Sequence, residues 1–166
     1  EIVFAENGTD LVLGDSAFDG CTALKTITLP AYISEISSGV FTGCTNLECV
    51  KVSPDNPNYA DLNGVLFDKN YTELLFYSAA MPAEYELPET VTTIGASVFA
   101  GNKNLRKITI GKNVASIGAY AFSKCINLSQ VVFKEGGTEP LTFGRNVFEY
   151  CDSLTEFTFP DRAAAT

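Results

Sequence analysis

The sequence contains no histidine, and this absence narrows the chemistry that the protein can perform. Histidine is the commonest general base near neutral pH and the commonest protein ligand of zinc. A Ser–His or Cys–His nucleophile pair is therefore excluded. We expect a protein that is not an enzyme and that holds neither a metal nor a cofactor.

Basic residues and long apolar runs are also scarce. The chain has 11 Lys and Arg against 20 Asp and Glu, a formal net charge of -9, which repels phosphate backbones and anionic lipid. No apolar run approaches the ~18 residues that span a bilayer, and no signal-peptide pattern opens the sequence,. We predict one domain, residues 1–166, that binds no nucleic acid and does not insert into membranes.

What the sequence does contain is a repeated unit. In each copy a Phe is followed after six residues by Leu, and after nine and eleven residues by further apolar residues. Because overlooking a period misassigns the whole fold, this spacing takes precedence over local propensities. The Phe residues that head the five clear copies are Phe18, Phe41, Phe99, Phe122 and Phe148.

The long step from Phe41 to Phe99 has room for a sixth unit with an insertion. Counting back from the Leu-Pro pair that ends this unit places Phe76 in the Phe column. The insert, about residues 53–84, has apolar segments on either side of the polar residues 69–72, the pattern of a β-hairpin. The sequence thus predicts six coils, around Phe18, Phe41, Phe76, Phe99, Phe122 and Phe148.

Each unit ends in a run in which apolar and polar residues alternate, the pattern of a short strand with one buried face. The segment before that run is too short for more than a helical turn. A single unit cannot bury its apolar face alone, so neighbouring units must share one core and one parallel ladder. We predict one parallel sheet, in sequence order, from strands that begin near Leu24, Leu47, Glu84, Leu105, Leu128 and Leu154.

The motif Leu-x-x-Ile-x-Leu-Pro, preceded by Ala-Phe-x-x-Cys at a period of 23 residues, resembles the BspA-type leucine-rich repeats of bacterial surface proteins. The resemblance covers nearly the whole chain, including residues 56–77, which are similar to an insert often met in that family. It implies a leucine-rich repeat solenoid: a right-handed superhelix of the α/β class, mostly β, with a parallel concave sheet, about six coils and an inserted β-hairpin. It also implies an exported protein on the cell surface, often associated with adhesion and without catalytic residues.

Four cysteines share one column of the repeat, three residues after the Phe. That position also accepts Asn102 and Ala79, which indicates a small side chain at a tight turn. Stacked coils place the thiols in a row, which does not suit a tetrahedral metal site. Buried free thiols and disulfides both remain open, because coils ~4.8 Å apart lie within disulfide range. The bridges in question are Cys21–Cys44 and Cys125–Cys151.

A lone cysteine and an oxygen-rich segment are weaker candidates for a functional site. Cys49 lies outside the cysteine column, and we expect it on the outer face of the concave sheet without a role. Asp55, Asn56, Asn58, Asp61 and Asn63 supply many oxygens, but their order does not match that of a calcium-binding loop,.

The main candidate for function is therefore the outer face of the predicted concave sheet. Its outward positions form a polar strip of mixed charge with little apolar area, which suits wet, hydrogen-bonded recognition. The predicted binding surface consists of Thr26, Thr28, Lys51, Glu86, Lys107, Thr109 and Gln130, together with Tyr59 and Tyr71 of the insert. The two tyrosines could instead pack the insert onto the solenoid.

Two functions remain open at this point. The first is a binding or adhesion module of an exported bacterial cell-surface protein, recognising a protein or glycan through the concave sheet or the hairpin coil. The alternative is a structural spacer with no ligand of its own. Because the C-terminal coil with Phe157 and Phe159 lacks a polar cap before the tail at 162–166, we also expect further repeats or self-association through that coil.

Overall fold

The computed structural model describes residues 2–5 and 8–162. The alanine-rich tail after Arg162 lies outside the described residues. Within them the chain forms fourteen short strands and no helix. The strands, numbered in chain order, are β1 Leu11–Leu13, β2 Thr26–Leu29, β3 Ile33–Ile36, β4 Cys49–Val52, β5 Tyr59–Leu62, β6 Val65–Asp68, β7 Glu73–Phe76, β8 Glu84–Glu86, β9 Thr93–Ile94, β10 Lys107–Ile110, β11 Ser116–Ile117, β12 Gln130–Phe133, β13 Thr142–Phe143 and β14 Glu156–Phe157.

The chain winds as a mostly-β parallel solenoid of about six coils, as the repeat predicts. We number the coils 1 to 6, and each contributes one strand to a first sheet, the one expected on the concave side. These strands are β2, β4, β8, β10, β12 and β14, and every pair formed among them is parallel. In β2 the side chains of Ile27 and Leu29 are buried while those of Thr26 and Thr28 are exposed, because alternate residues of a strand face opposite sides.

The expectation of one continuous first sheet is wrong between β4 and β8, which do not pair. The tip of the insert takes the place of β8 at the edge of β4. The carbonyl of Gly64 accepts a hydrogen bond from the N–H of Val50 at 3.1 Å, and the carboxylate of Asp61 accepts one from the N–H of Val52 at 2.7 Å. The first sheet is therefore divided into the pair β2–β4 and the four strands β8-β10-β12-β14.

The strands that precede the Phe column form a second sheet, which is also divided into two parts. Strands β1 and β3 form a parallel pair, and a larger sheet has the order β13-β11-β9-β7-β6-β5. The predicted hairpin is present as β6 and β7, which are antiparallel. Its turn is closed by the carboxylate of Asp68, which accepts hydrogen bonds from the N–H groups of Thr72 and Glu73, both at 2.6 Å.

The third strand of the insert, β5, was not predicted. It pairs antiparallel with β6 across the two-residue turn Asn63-Gly64. Both turn residues have positive φ, 53° and 88°, as a type I′ hairpin turn requires. The Asn-Gly dipeptide is the sequence signal that would have revealed this strand.

Aromatic rings from successive coils form a column through the core. Phe99 stacks on Phe122 with ring centroids 4.7 Å apart and planes 8° apart, and the Phe18–Phe41 and Phe122–Phe148 pairs are stacked in the same way. In coil 3 two residues share the position. Phe76 contacts Phe41 at 5.1 Å, and Tyr77 contacts Phe99 at 5.1 Å.

The stack of aromatic rings predicts that removing two different Phe rings lowers the free energy of unfolding by different amounts. Phe122 is fully buried between two rings, whereas Phe148 is half-buried. We expect Phe122→Ala to lower the free energy of unfolding by about 3–5 kcal/mol, and Phe148→Ala to lower it clearly less. Urea unfolding followed by circular dichroism measures both. Equal losses would contradict this account of the core.

Gly64 provides a test of the insert. A methyl group on its Cα would lie 2.8 Å from Cε of Met81 and 2.9 Å from Sγ of Cys49. Gly136 has a similar φ of 85°, but no atom lies within 4 Å of the corresponding position. We expect Gly136→Ala to cost about 1–2 kcal/mol, from backbone strain alone. Gly64→Ala should cost more than this, because the ends of the Met81 and Cys49 side chains must also move to make room,.

The same urea titrations compare the two glycine variants. If Gly64→Ala costs no more than Gly136→Ala, the tip of the insert does not pack against Cys49 and Met81 as described.

Candidate functional site

The four-stranded part of the first sheet aligns polar side chains into two rows. One row runs Glu84, Lys107, Gln130 and Glu156, and the other contains Glu86 and Thr109. Thr26, Thr28 and Lys51 form a separate group on the pair β2–β4. Of the seven predicted surface residues on strands of the first sheet, the structure thus brings four together, and the insert separates the other three from them. We call the rows on β8-β10-β12-β14 the polar strip.

An ion-pair cluster borders the polar strip. The ammonium group of Lys134 lies 2.6 Å from a carboxylate oxygen of Glu86 and 2.5 Å from one of Glu89. These hydrogen bonds raise the pKa of Lys134 to about 12 and lower the pKa of Glu89. Because Glu86 belongs to β8 and Lys134 follows β12, the cluster reaches across the intervening strand β10.

Sequence reasoning missed Lys134 because it lies just after its strand. The corresponding position is proline in three of the other five coils, at Pro30, Pro88 and Pro160, and is Ser53 or Gly111 in the remaining two. A lysine in a column otherwise filled largely by proline is the signal that could have identified it.

Tyr59 and Tyr71 lie in the insert, away from the polar strip. The hydroxyl of Tyr59 accepts a hydrogen bond from the N–H of Ile36 at 2.8 Å, and burial raises its pKa. The ring of Tyr71 packs 5.6 Å from that of Phe67. Both side chains are half-buried against the core, so they have packing roles of their own.

The oxygen-rich start of the insert is occupied by structural hydrogen bonds. Asn56 is fully buried. Its Nδ2 donates to the carbonyls of Pro30 and Ile33, and its Oδ1 accepts from the N–H groups of Asn58 and Tyr59. Across the part of the chain that the structure describes, no three His, Cys, Asp or Glu side chains are grouped to hold a metal ion.

The cysteine column has a polar as well as a steric requirement. The thiols of Cys44, Cys125 and Cys151 donate hydrogen bonds, at 3.0–3.1 Å, to carbonyls of the preceding coil. The amide of Asn102, in the same column, donates to the carbonyl of Ser78 at 3.2 Å. A small hydrogen-bond donor therefore suits this position, which explains why both Cys and Asn are found there.

All five cysteines are free thiols. Burial raises the pKa of Cys125 to about 12 and that of Cys151 to about 11, and it also raises the pKa of Cys44. These thiols are therefore protonated and unreactive near neutral pH. Cys49 faces outward as expected, in register with the exposed Thr26. It is half-buried, however, because the tip of the insert lies beside it at Gly64.

An alkaline stability profile tests the buried thiol. The pKa of Cys125 lies near the ordinary thiol value of 9.0 in the unfolded chain and near 12 in the folded one, so the native state holds the extra proton between these values. The contribution of Cys125 to the free energy of unfolding is therefore fully present below pH 9. Above pH 9 this contribution is lost, by up to about 1.4 kcal/mol per pH unit. We expect Cys125→Ala to show a shallower decline between pH 9 and 11.

The matched control is Val131→Ala, which truncates a buried side chain that does not titrate. It should lose stability at every pH and keep the slope of the parent protein. Identical slopes for the parent and Cys125→Ala would contradict the assignment.

The chain matches the family model described as the BspA type leucine-rich repeat region, in six copies over residues 2–69 and 69–165. The chain belongs to this family. The match assigns the coils and their insert to BspA-type repeats and agrees with the resemblance seen in the motif. No curated protein gave a significant match.

Several solved structures of bacterial leucine-rich repeat proteins share this fold. A leucine-rich cell surface protein from Faecalibacterium prausnitzii is 26% identical with a TM-score of 0.74, covering 85% of this chain and 37% of its own. A leucine-rich repeat protein from Eubacterium ventriosum is 28% identical with a TM-score of 0.61, covering 83% and 49%. The pneumococcal vaccine antigen PcpA is 24% identical with a TM-score of 0.67, covering 79% and 38%. This BspA-type chain thus spans less than half the length of each.

The repeats also carry an asparagine ladder that sequence reasoning missed. The side-chain amides of Asn46, Asn104 and Asn127 each donate to a carbonyl of the preceding coil at 2.7 Å. Each lies two residues after the cysteine column, a spacing visible in the sequence.

Within the described residues, no helix has both the length and the apolar character to cross a membrane.

Proposed function

We propose that this chain is a non-enzymatic binding or adhesion module of an exported bacterial cell-surface protein, and that the polar strip recognises a protein or glycan. The observation that carries the proposal is the strip itself: outward polar side chains in register on four paired strands. The family and the cell surface protein from Faecalibacterium prausnitzii support the surface location.

The chemistry of the polar strip favours recognition through hydrogen bonds. Lys107, Thr109 and Gln130 are half-buried, and Glu84 and Glu86 are exposed, so both donors and acceptors are accessible. The strands hold these groups at fixed spacings, which reduces the entropy that binding would otherwise cost. Thr26, Thr28 and Lys51 offer a second, smaller group of the same character on the pair β2–β4.

Glycan-array and host-protein binding by the isolated chain tests the proposal. For a ligand found in this way, the double variant Lys107→Ala/Gln130→Ala should bind at least tenfold more weakly, because it removes donors from the centre of the polar strip. The matched control is Lys103→Ala/Lys112→Ala, which truncates two exposed lysines outside the strip and should bind as the parent does. Unchanged thermal melting temperatures would exclude misfolding as the cause.

Two results would contradict the proposal. Equal loss of affinity in both double variants would show that the polar strip is not the site. The absence of any ligand would favour the structural spacer.

A further inference from the structure

The segment of coil 3 that carries the Phe column is three residues shorter than the same segment of coil 4. Leu74 pairs with Ile94 in the second sheet, and Glu84 pairs with Lys107 in the first. Between these two pairings coil 3 advances ten residues and coil 4 advances thirteen. Coil 3 must therefore take a more direct path past the aromatic column than coil 4 does.

This shortening interrupts a hydrogen-bond ladder that joins the turns of the complete coils. Between coils 4 and 5 the N–H groups of Ser97, Phe99 and Gly101 donate to three carbonyls at 2.8–3.0 Å. Coils 5 and 6 are joined in the same way, through Tyr120, Phe122 and Lys124. Where coil 3 meets coil 4, only the bond from Tyr77 to Val98, at 3.3 Å, corresponds to this ladder.

The interruption leaves main-chain groups without partners on both sides of coil 3. Among the described residues, the N–H groups of Phe41 and Gly43 in coil 2 donate to no backbone carbonyl. On coil 4, likewise among the described residues, the carbonyl of Ala100 accepts no backbone N–H. Where two complete coils are adjacent, the equivalent groups are paired, so these groups are available to a segment placed between coils 2 and 4.

A groove of about 390 Å³ lies at this place, and we call it the coil-3 groove. Its walls include Phe41 and Gly43 on one side and Ala100 and Gly101 on the other, with Tyr77 and Ala79 of coil 3 also lining it. Its volume lies within the ~300–1,000 Å³ typical of ligand sites. The small residues on both walls allow another main chain to approach closely.

We propose that the coil-3 groove binds an extended peptide segment of a partner protein. The carbonyls of the segment accept hydrogen bonds from the N–H groups of Phe41 and Gly43, and one of its N–H groups donates to the carbonyl of Ala100. Donors on one wall and an acceptor on the other match a main chain that continues the ladder between coils. The mode is that of strand addition, in which backbone pairing supplies affinity.

The probe for this site is a synthetic peptide that copies residues 95–105, the complete turn of coil 4, with both ends blocked. Titrated into the ¹⁵N-labelled chain, it should shift the amide signals of Phe41, Gly43, Ala79 and Gly101. It should also slow hydrogen exchange at Phe41 and Gly43 at least tenfold at saturation. Two versions of the same peptide, each N-methylated at one of the two alternate sets of residues, test the donated bond. The version methylated on the edge that faces Ala100 cannot donate to that carbonyl and should bind at least tenfold more weakly.

Protein variants locate the binding site. Ala79→Trp places a large side chain in the coil-3 groove and should weaken peptide binding at least tenfold. Ala80→Trp, at the next and exposed position, is the matched control and should bind as the parent does. The polar-strip variant Lys107→Ala/Gln130→Ala should also bind the peptide normally, so the two sites can fail independently.

Three results would overturn the proposal. One is the absence of shifts up to about 1 mM peptide, the weak end of specific binding. Another is equal affinity for the unmodified peptide and both N-methylated versions, which tests the backbone pairing without altering the protein. The third is an oligosaccharide that shifts Phe41 and Gly43 when the peptide does not.

Discussion

Hydrogen bonding between neighbouring coils is the constraint on which the rest of this structure depends. Coil 5 shows the pattern of the complete coils: it bonds to its neighbours at three places, from Lys134 to Ile110, from Gly118 to Ile94 and from Phe122 to Val147. A buried N–H left without a partner costs about 1–3 kcal/mol, so a coil cannot shift in register without losing several bonds. This is why the repeat keeps a near-constant length, and why Phe, Cys and Asn each return at fixed positions.

The insert is tolerated because it supplies substitutes for the bonds that it interrupts. The carboxylate of Asp61 and the carbonyl of Gly64 accept the N–H groups that β4 would offer to a neighbouring strand. On the second sheet, the side chains of Asn56 and Tyr59 connect the insert to coil 2. The side chains of Asn56 and Asp61 therefore take the place of main-chain partners in this segment. Among the described residues, no backbone carbonyl of the insert accepts the N–H groups of Phe41 and Gly43.

The fold was predictable from the sequence where all residues of one repeat column lie in the same environment. Phe18, Phe41, Phe99, Phe122 and Phe148 all occupy the same position in the core, so their spacing was enough to give the register of the solenoid and of the polar strip. The break in the first sheet was not predictable in this way, because it depends on Asp61 and Gly64 reaching a strand about ten residues away. The same holds for the cluster at Lys134, which unites residues of coils 3 and 5. Repeat spacing shows which residues share a column but not which contacts the insert creates.

The division of the first sheet also shapes its outer surface. The part on β8-β10-β12-β14 carries Glu84, Glu86 and Glu156 as well as Lys107, with Lys134 at its border. Exposed ion pairs contribute little to stability, because solvent screens them and long side chains lose freedom in forming them. If a ligand replaced the partners of Glu86 or Lys134, the protein would therefore lose little stability. The strands fix the spacing of the polar groups, while their charges remain free to exchange partners. A surface of this kind keeps its shape and can still form new hydrogen bonds.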